Sequence, residues 1–255
     1  MRKSYLFDLD FTTLSYSFYP GVFSKIIDFY ELDFLTPDDL RRMLHRKSLE
    51  LYLNNQPLES HDWDLILEII LKQNGIKPTK KFTEFVIEDV TERGAPITKG
   101  ALRLFDAIKQ ENDIIGILTN GFKRYQEIKV EVSGINDLVD FIIYIDDVGT
   151  IKPYREFFNY AVKYSKQLKS EPIAYIGDNF YFDVIGALNS GIRNVVWYRE
   201  KGDYKMGKYK ISELTDILNK VVEIYNHKLP EINKQAEIFV ANNLEDILEF
   251  DFLVK

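Results

Sequence analysis

Short apolar runs separated by amphipathic segments constrain this chain more than any other feature of its sequence. The runs are rich in Ile, Val, Tyr and Phe and occupy residues 4–7, 113–118, 141–145, 173–176 and 194–198. They do not alternate between polar and apolar positions, which is typical of strands buried on both faces of a parallel sheet. Helical patterns lie between them, at residues 102–109, 122–132, 154–166 and 184–190. Strands alternating with helices predict βαβ units in an open, parallel α/β sheet.

The stretch between the first two runs departs from this alternation. Residues 14–95 contain at least four helical patterns and no convincing strand. One of the helices is expected to begin at Thr36 and Pro37, since proline is favoured at the first helical position after a capping threonine. We therefore predict an all-helical cap at residues 14–95, inserted into an α/β core formed by residues 1–13 and 96–255.

The C-terminal part of the chain is less regular. A helical pattern at residues 211–227 and an apolar run at residues 237–241 predict a helix followed by a last strand at the edge of the sheet. Residues 201–235 are expected to form a helical excursion before that strand, either as a surface decoration or as a contact between subunits.

Composition and charge exclude several classes of function. The 255 residues contain no cysteine, which excludes disulfides, a cysteine nucleophile and thiolate metal ligands. The formal charge of −7 disfavours a general nucleic-acid surface. Asp8 interrupts the first apolar stretch, which predicts neither a signal peptide nor a membrane span. We expect a cytoplasmic protein without a membrane or nucleic-acid partner, and the sequence sets no oligomeric state.

Polar residues that can carry chemistry follow four of the apolar runs, where ligands bind in open α/β sheets. They are Asp8 and Asp10, Thr119 and Asn120, Lys152, and Asp178 and Asp183. Each group alone has an ordinary interpretation as a turn, a helix cap or a solvated lysine. Together, paired carboxylates suit Mg²⁺, a carboxylate can act as a nucleophile, and a lysine and a hydroxyl can hold phosphoryl oxygens. The set therefore predicts a phosphoryl-transfer site.

The chain resembles the haloacid dehalogenase superfamily in four segments that occur in the family's order. They read YLFDLDFTT, GILTNG, GTIKPYREFF and YIGDNFYFD, and the segment GFKRYQEIK is similar to the phosphatase branch. The resemblance covers residues 4–13 and about 96–200, and the helical insertion lies where subfamilies with a C1-type cap carry theirs. It implies an α/β fold with a doubly wound, Rossmann-like parallel sheet as the core, a mobile helical cap and Mg²⁺-dependent hydrolysis through an aspartyl-phosphate.

The resemblance implies a role for each matched acid. Asp8 looks like the nucleophile that attacks phosphorus. Asp10 would protonate the leaving oxygen and then accept a proton from the hydrolytic water. Asp8, the backbone carbonyl of Asp10, and Asp178 would hold Mg²⁺, with Asp183 as an inner- or outer-shell partner.

The resemblance also implies how the phosphoryl group is bound. Thr119 would donate a hydrogen bond to a phosphoryl oxygen, and Asn120 would supply a backbone or side-chain contact nearby. Lys152 would orient Asp8 and offset negative charge in the transition state. The implied substrate is a small phosphorylated metabolite.

Phe11 and Thr13 depart from the family's pattern, which usually has glycine or asparagine and then leucine at these positions. A phenylalanine does not easily adopt a positive φ. We therefore expect the loop that leads into the cap to run differently in this chain, with consequences for the hinge and the pocket shape.

For several other residues a structural interpretation outweighs a functional one. His45, His61 and His227 are expected to be surface or satisfied histidines, and Asp146 and Asp147 turn residues. Tyr16, Phe18 and Tyr19 are expected to pack in the cap core rather than line the pocket, and Arg41, Arg42, Arg46 and Lys47 to form a solvated helix face.

Three functions compete. The leading hypothesis is a Mg²⁺-dependent phosphomonoesterase acting on a sugar phosphate, phosphoglycolate or a nucleoside monophosphate. The second is a 2-haloacid dehalogenase, although such members usually lack an aspartate at the position of Asp10. The third is a catalytically retired binding module, although the nucleophile, the lysine and the metal acids are all present.

Overall fold

A computed structural model describes residues 2–18, 20–201, 203–225 and 235–253. The expectations for Tyr19 and His227, and for residues 226–234 of the predicted excursion, lie outside the described residues. Within those ranges the strands form one sheet in the order β3-β2-β1-β4-β5-β7-β6. Their bounds are β1 Arg2–Phe7, β2 Ile114–Leu118, β3 Phe141–Ile143, β4 Ser170–Gly177, β5 Asn194–Tyr198, β6 Gly207–Lys210 and β7 Glu237–Ala241.

All strand pairs in this sheet are parallel except β6 with β7. The strand order reverses between β1 and β4, and β1 pairs with both β2 and β4. In a doubly wound sheet, the crevice for ligands opens at the carboxyl ends of the strands beside such a reversal. The predicted doubly wound parallel fold is confirmed.

The sheet is buried on both faces, as its continuous apolar runs predict. In β1, Leu6 packs into one hydrophobic cluster, and Tyr5 and Phe7 pack into a second. Helices cover the sheet at α5 Ala101–Gln110, α6 Lys123–Ser133, α7 Ile145–Val148, α8 Arg155–Gln167, α9 Gly186–Asn189 and α10 Thr215–Tyr225. Among the described helices, none is long and apolar enough to span a membrane.

A helical insert follows β1, and its buried apolar side chains form a hydrophobic cluster that Tyr125 of α6 joins. Its helices are α1 Gly21–Phe29, α2 Pro37–Leu53, α3 Trp63–Gln73 and α4 Phe82–Arg93. The predicted cap at Thr36 begins α2, where the Thr36 hydroxyl accepts from Asp39 N and the Asp39 carboxylate accepts from Thr36 N. The chain enters and leaves the insert side by side, because Ser15 N donates to Pro96 O and Thr98 N donates to Thr13 O, both at 2.9 Å.

Two local predictions are wrong. The third apolar run ends as a strand at Ile143, because the Asp147 carboxylate accepts from Tyr144 N at 2.8 Å and caps α7. Residues 201–235 contain the strand β6, so β7 is not the edge of the sheet, and the helix α10 is the described helical part of that region.

The steric argument about Phe11 is also wrong, whereas the expected difference in the loop that leads into the cap stays a prediction. Its φ is +62° in a tight turn, and its side chain is 54% exposed. Backbone bonds close this turn, since Phe11 N donates to Leu14 O at 2.8 Å and Thr13 N donates to Leu9 O at 3.0 Å. These bonds offset the steric penalty of the left-handed conformation.

Gly116 in β2 leaves room for a ring on the neighbouring strand. A Cβ at Gly116 would lie 2.2 Å from Phe141 Cζ, and the Phe141 ring also packs against Tyr164 with centroids 4.8 Å apart. We expect Gly116→Ala to lower the free energy of unfolding by about 1–3 kcal/mol, because the ring must move within a packed core. Urea denaturation measures this. Val132→Ala, on an exposed side chain, is the control and should change the value by less than about 0.5 kcal/mol; equal midpoints for Gly116→Ala and wild type would contradict the expectation.

Candidate active site

Asp8 lies directly after β1, at the carboxyl end of the central strands. Its backbone N donates to Ile176 O at 2.8 Å, which ties it to β4. Its side chain is almost fully buried and accepts a hydrogen bond from Lys152 Nζ at 2.5 Å. Burial raises the pKa of the Asp8 carboxyl to about 7, and the Lys152 ammonium opposes that rise.

The Lys152 ammonium is at the centre of this site. Nζ lies 2.5 Å from Asp8 Oδ1, 2.7 Å from Asp183 Oδ1, 3.0 Å from Tyr175 Oη and 3.1 Å from Leu118 O. Burial lowers the pKa of a lysine, but the carboxylates of Asp183 and Asp8 outweigh this effect and raise the pKa of Lys152 above its ordinary value. The side chain is therefore a fixed cation held against Asp8.

Asp178 completes a cluster of acids with Asp8 and Asp183, in which one carboxylate oxygen from each residue lies within 4.8 Å of the other two. Burial, followed by the charges of Asp8 and Asp183, raises the pKa of Asp178 well above its usual range. Three carboxyl groups share the site with one ammonium, so their full ionisation would leave an excess of negative charge. Hard oxygen donors with such an excess fit a Mg²⁺ ion.

The carboxylate of Asp10 lies outside that cluster. Its Oδ1 accepts from Lys129 Nζ at 2.5 Å, and its Oδ2 accepts from Gln126 Nε2 at 2.7 Å. Gln126 Nε2 also donates to Thr119 Oγ1 at 2.9 Å, and Gly121 N donates to the same hydroxyl at 3.2 Å. Asp10 is thus connected to Thr119 through one amide group.

The side chain of Asn120 holds the backbone of Lys152. Asn120 Oδ1 accepts from Lys152 N at 2.7 Å, and Asn120 Nδ2 donates to Lys152 O at 3.0 Å. Asn120 Nδ2 also lies 3.4 Å from Nε2 of His61, a residue of the insert. The Asn120 amide therefore positions Lys152, while its predicted contact with substrate stays a prediction.

His61 is a satisfied histidine, as predicted, but it also lines the active-site cavity. Nδ1 lies 2.8 Å from Ser60 Oγ and 3.2 Å from Pro57 O. Burial lowers the pKa of His61 to about 4. A neutral ring protonated at Nδ1 satisfies both of these contacts and leaves Nε2 to accept from Asn120.

A cavity of about 420 Å³ lies between the core and the insert and reaches the acids. The core contributes the acids, Lys152 and the Thr119–Gly121 segment, and the insert contributes mainly aromatic and basic side chains. The aromatic and basic residues that the insert contributes are Tyr16, Phe18, Phe23, Trp63, Arg41, His45 and His61, and the core adds Phe11, Tyr125, Phe182 and Lys129. A mostly apolar wall around a few convergent polar groups is typical of a site for a small molecule.

The structure places the remaining candidates as follows. Tyr16 and Phe18 pack in the core of the insert and also line the cavity, so both interpretations weighed for them apply. Asp146 and Asp147 accept from backbone N–H groups of Lys123 and Tyr144, which agrees with their predicted turn roles.

The predicted solvated face of α2, which carries Arg41, Arg42, Arg46 and Lys47, is found in part. Arg41 and Arg42 pair with Asp38 on the same helix, and Lys47 pairs with Glu50. Arg41 also lies at the cavity wall.

Sequence reasoning missed Gln126, Lys129 and Tyr175. Gln126 and Lys129 lie three residues apart on α6, and residues at that spacing share a helix face. The segment GFKRYQEIK, which carries them, stood out only for its resemblance to the phosphatase branch. Two polar side chains on the otherwise apolar inner face of this helix were the available signal. Tyr175 lies within an apolar run and gave no signal.

The family profile of the haloacid dehalogenase-like hydrolases matches residues 5–197 of this chain. The chain belongs to this family. It is a hydrolase by that membership, and the resemblance seen in its four motifs is confirmed.

Individual proteins of the family resemble the chain at moderate identity. The pyrimidine 5'-nucleotidase YjjG of Escherichia coli (strain K12) is 27% identical over 187 residues, which cover 73% of this chain and 81% of that protein. The solved structure of the HAD-hydrolase YfnB from Bacillus subtilis, bound to magnesium, has a TM-score of 0.66 at 18% identity and covers 100% of this chain and 99% of that one.

An L-2-haloacid dehalogenase from Xanthobacter autotrophicus is similar in fold, with a TM-score of 0.61 at 17% identity. The match covers 98% of each chain. At such identities a structural likeness supports the fold alone. The chemistry must be argued from the residues of the site.

The neutral state of His61 predicts a pH dependence of stability. Its pKa is about 4 in the folded protein against an ordinary 6.5, so between these values the unfolded chain binds a proton that the folded protein does not. Stability from this group is present above the unfolded pKa and is lost as the pH falls toward the folded pKa. We expect His61→Gln to lose less stability than wild type between pH 7 and about pH 5, measured by urea denaturation. Parallel losses in the two proteins would contradict this assignment.

Proposed function

We propose that the protein is a Mg²⁺-dependent phosphomonoesterase that works through an aspartyl-phosphate on Asp8. The observation that carries the proposal is the buried contact between Lys152 Nζ and Asp8 Oδ1, within a cluster of three carboxylates at the wall of the cavity. The lysine orients the carboxylate and offsets the negative charge of an approaching phosphate, so that Asp8 can attack phosphorus.

Asp8, Asp178 and the backbone carbonyl of Asp10 are the proposed Mg²⁺ ligands, with Asp183 as a partner. The Asp183 carboxylate is already held by Lys152, Tyr175 and Asn179 N, which suits a role in orienting the inner ligands. Bound Mg²⁺ would neutralise phosphoryl charge at this position.

The proposed reaction has two displacements at phosphorus. In the first, an Asp8 oxygen forms a bond to phosphorus while the bond to the ester oxygen breaks, and Asp10 donates its proton to that leaving oxygen. In the second, water attacks phosphorus and gives its proton to Asp10, which restores Asp8 and releases inorganic phosphate. Asp10 thus gives up one proton and takes one back in each cycle.

Thr119 and Lys152 are the proposed binding groups for the phosphoryl oxygens. The Thr119 hydroxyl accepts from Gln126 and from Gly121 N, so its own proton is directed elsewhere, toward a bound oxygen. Asn120 contributes by fixing the Lys152 backbone, and its backbone N–H is the proposed contact with phosphate.

The residues favour phosphate-ester hydrolysis over the two alternative functions. A dehalogenase attacks carbon and needs neither the metal acids nor Asp10, and this chain has all of them at the site. A buried charge cluster is often less stable than apolar packing of equal volume. A catalytically retired binding module would therefore not need Lys152 buried among three carboxylates.

We propose a small phosphorylated metabolite as the substrate: a sugar phosphate, phosphoglycolate or a nucleoside monophosphate. The cavity of about 420 Å³ suits such molecules. The relative YjjG is named as a pyrimidine 5'-nucleotidase, which adds support for a nucleotide. We further propose that residues 14–95 act as a cap over the site and that the enzyme acts in the cytoplasm.

Hydrolysis of p-nitrophenyl phosphate tests the proposed chemistry. Wild type should release phosphate with Mg²⁺, lose activity in EDTA and regain it when Mg²⁺ is restored. Asp8→Asn should lower kcat by at least about a thousandfold, because the nucleophile is lost while the shape of the site is kept. A metabolite panel read by inorganic phosphate, with halide release from 2-chloropropionate, extends the assay.

Glu127→Gln, at an exposed position on α6, is the matched carboxyl-to-amide control and should keep full activity. Activity that survives in Asp8→Asn would contradict the proposed nucleophile. Halide release without phosphate release would replace the phosphatase by a dehalogenase.

A further inference from the structure

The Asp10 carboxylate is held from one side by two side chains of α6. Each of its oxygens accepts one hydrogen bond, from Lys129 Nζ at 2.5 Å and from Gln126 Nε2 at 2.7 Å. All three residues line the cavity that contains Asp8. Two donors on separate oxygens fix both the position and the plane of a carboxylate, which one donor would not.

Lys129 is fully buried, with 0% of its side chain exposed, and its ion-pair partner within the described part of the chain is Asp10. The rings of Phe18 and Tyr16 lie over its ammonium at 5.1 and 5.7 Å from the ring centroids. Burying a lysine at this position costs more free energy than burying a methionine of similar volume. This cost indicates that the charge of Lys129 and its N–H donors have a function at the site.

Gln126 connects Asp10 to the hydroxyl of Thr119. Its Nε2 donates to both groups, and the side chain is 2% exposed. The backbone leaves room for this amide at Gly121, where a Cβ would lie 2.0 Å from Gln126 Nε2. The amide sets the spacing between the proposed acid–base group and a proposed phosphate ligand.

We propose that Lys129 and Gln126 are positioning residues that hold the Asp10 carboxyl group where it can transfer a proton to and from the substrate. This inference rests on the proposed function. Neither side chain has to touch the substrate; both act through Asp10. Proton transfer requires a donor within hydrogen-bond reach of the leaving oxygen, so a carboxyl group displaced by an ångström loses much of its effect.

Comparing two substrates that differ in their leaving group distinguishes this positioning role from a structural one. Phenolate is a poorer leaving group than p-nitrophenolate and depends more on a proton from Asp10, whereas the two phosphate esters have nearly the same shape. The ratio of kcat/KM for phenyl phosphate to kcat/KM for p-nitrophenyl phosphate reports the step in which the leaving group departs. A general loss of folded enzyme lowers both values by the same factor and leaves the ratio unchanged.

We expect Lys129→Met, Gln126→Leu and Asp10→Asn each to lower this ratio by about tenfold or more. Lys129→Arg, which keeps the charge and the donors, should restore part of it. In the Asp10→Asn background, Lys129→Met should change the ratio no further, because it acts through the missing carboxyl group. Mg²⁺ affinity, measured by calorimetry, should not differ between Lys129→Met and wild type.

Lys123→Met is the matched control, since Lys123 lies on the same helix with a side chain that is half exposed. It should leave the ratio unchanged. If Lys129→Met does not fold, Gln126→Leu and Lys129→Arg decide the matter in the same assay.

Two outcomes would overturn the inference. The first is a parallel fall of both kcat/KM values in Lys129→Met and Gln126→Leu, and the second is no change in either. Failure of the proposed function looks different, because wild type itself would then hydrolyse neither ester, and the inference would fall with it.

Discussion

The buried ammonium of Lys152 is the interaction on which the rest of the site depends. It joins Asp8 after β1, Asp183 after β4 and the carbonyl of Leu118 at the end of β2, so three neighbouring strand ends meet at one cation. Removing one partner of a buried ion pair typically lowers stability by about 3–5 kcal/mol, because the other charge stays buried without a partner. The same contact that holds these loops together orients the proposed nucleophile, so stability and chemistry share one interaction.

Around this cation the site separates into two parts with different tasks. The acids near Lys152 form the proposed metal and nucleophile side, while Asp10 is held away from them by α6. Two carboxylates two residues apart in the sequence thus have different partners, which suits the proposed roles of Asp8 as nucleophile and Asp10 as acid and base. The insert closes the remaining side of the cavity with aromatic rings, and its contact with the core includes His61 beside Asn120.

The sequence could predict that Asp8, Asp178 and Lys152 lie close together, because the carboxyl ends of parallel strands meet at one edge of a sheet. Lys129 could not, since its role depends on which face of α6 turns toward β1, and that rotation is set by packing. The φ of Phe11 was predicted wrongly because a steric preference was weighed without the backbone bonds that close its turn. His61 reaches the site through the packing of the insert on the core, a long-range contact that no local pattern encodes.

The central claim is that Asp8 becomes phosphorylated. It is tested most directly by quenching the enzyme in acid during turnover of p-nitrophenyl phosphate, reducing the acyl phosphate with borohydride, and sequencing the peptides by mass spectrometry. The account predicts that Asp8 alone is converted to homoserine, and that Asp8→Asn gives no such product. Homoserine at Asp178 or Asp183, or none at any position while wild type turns over, would contradict it.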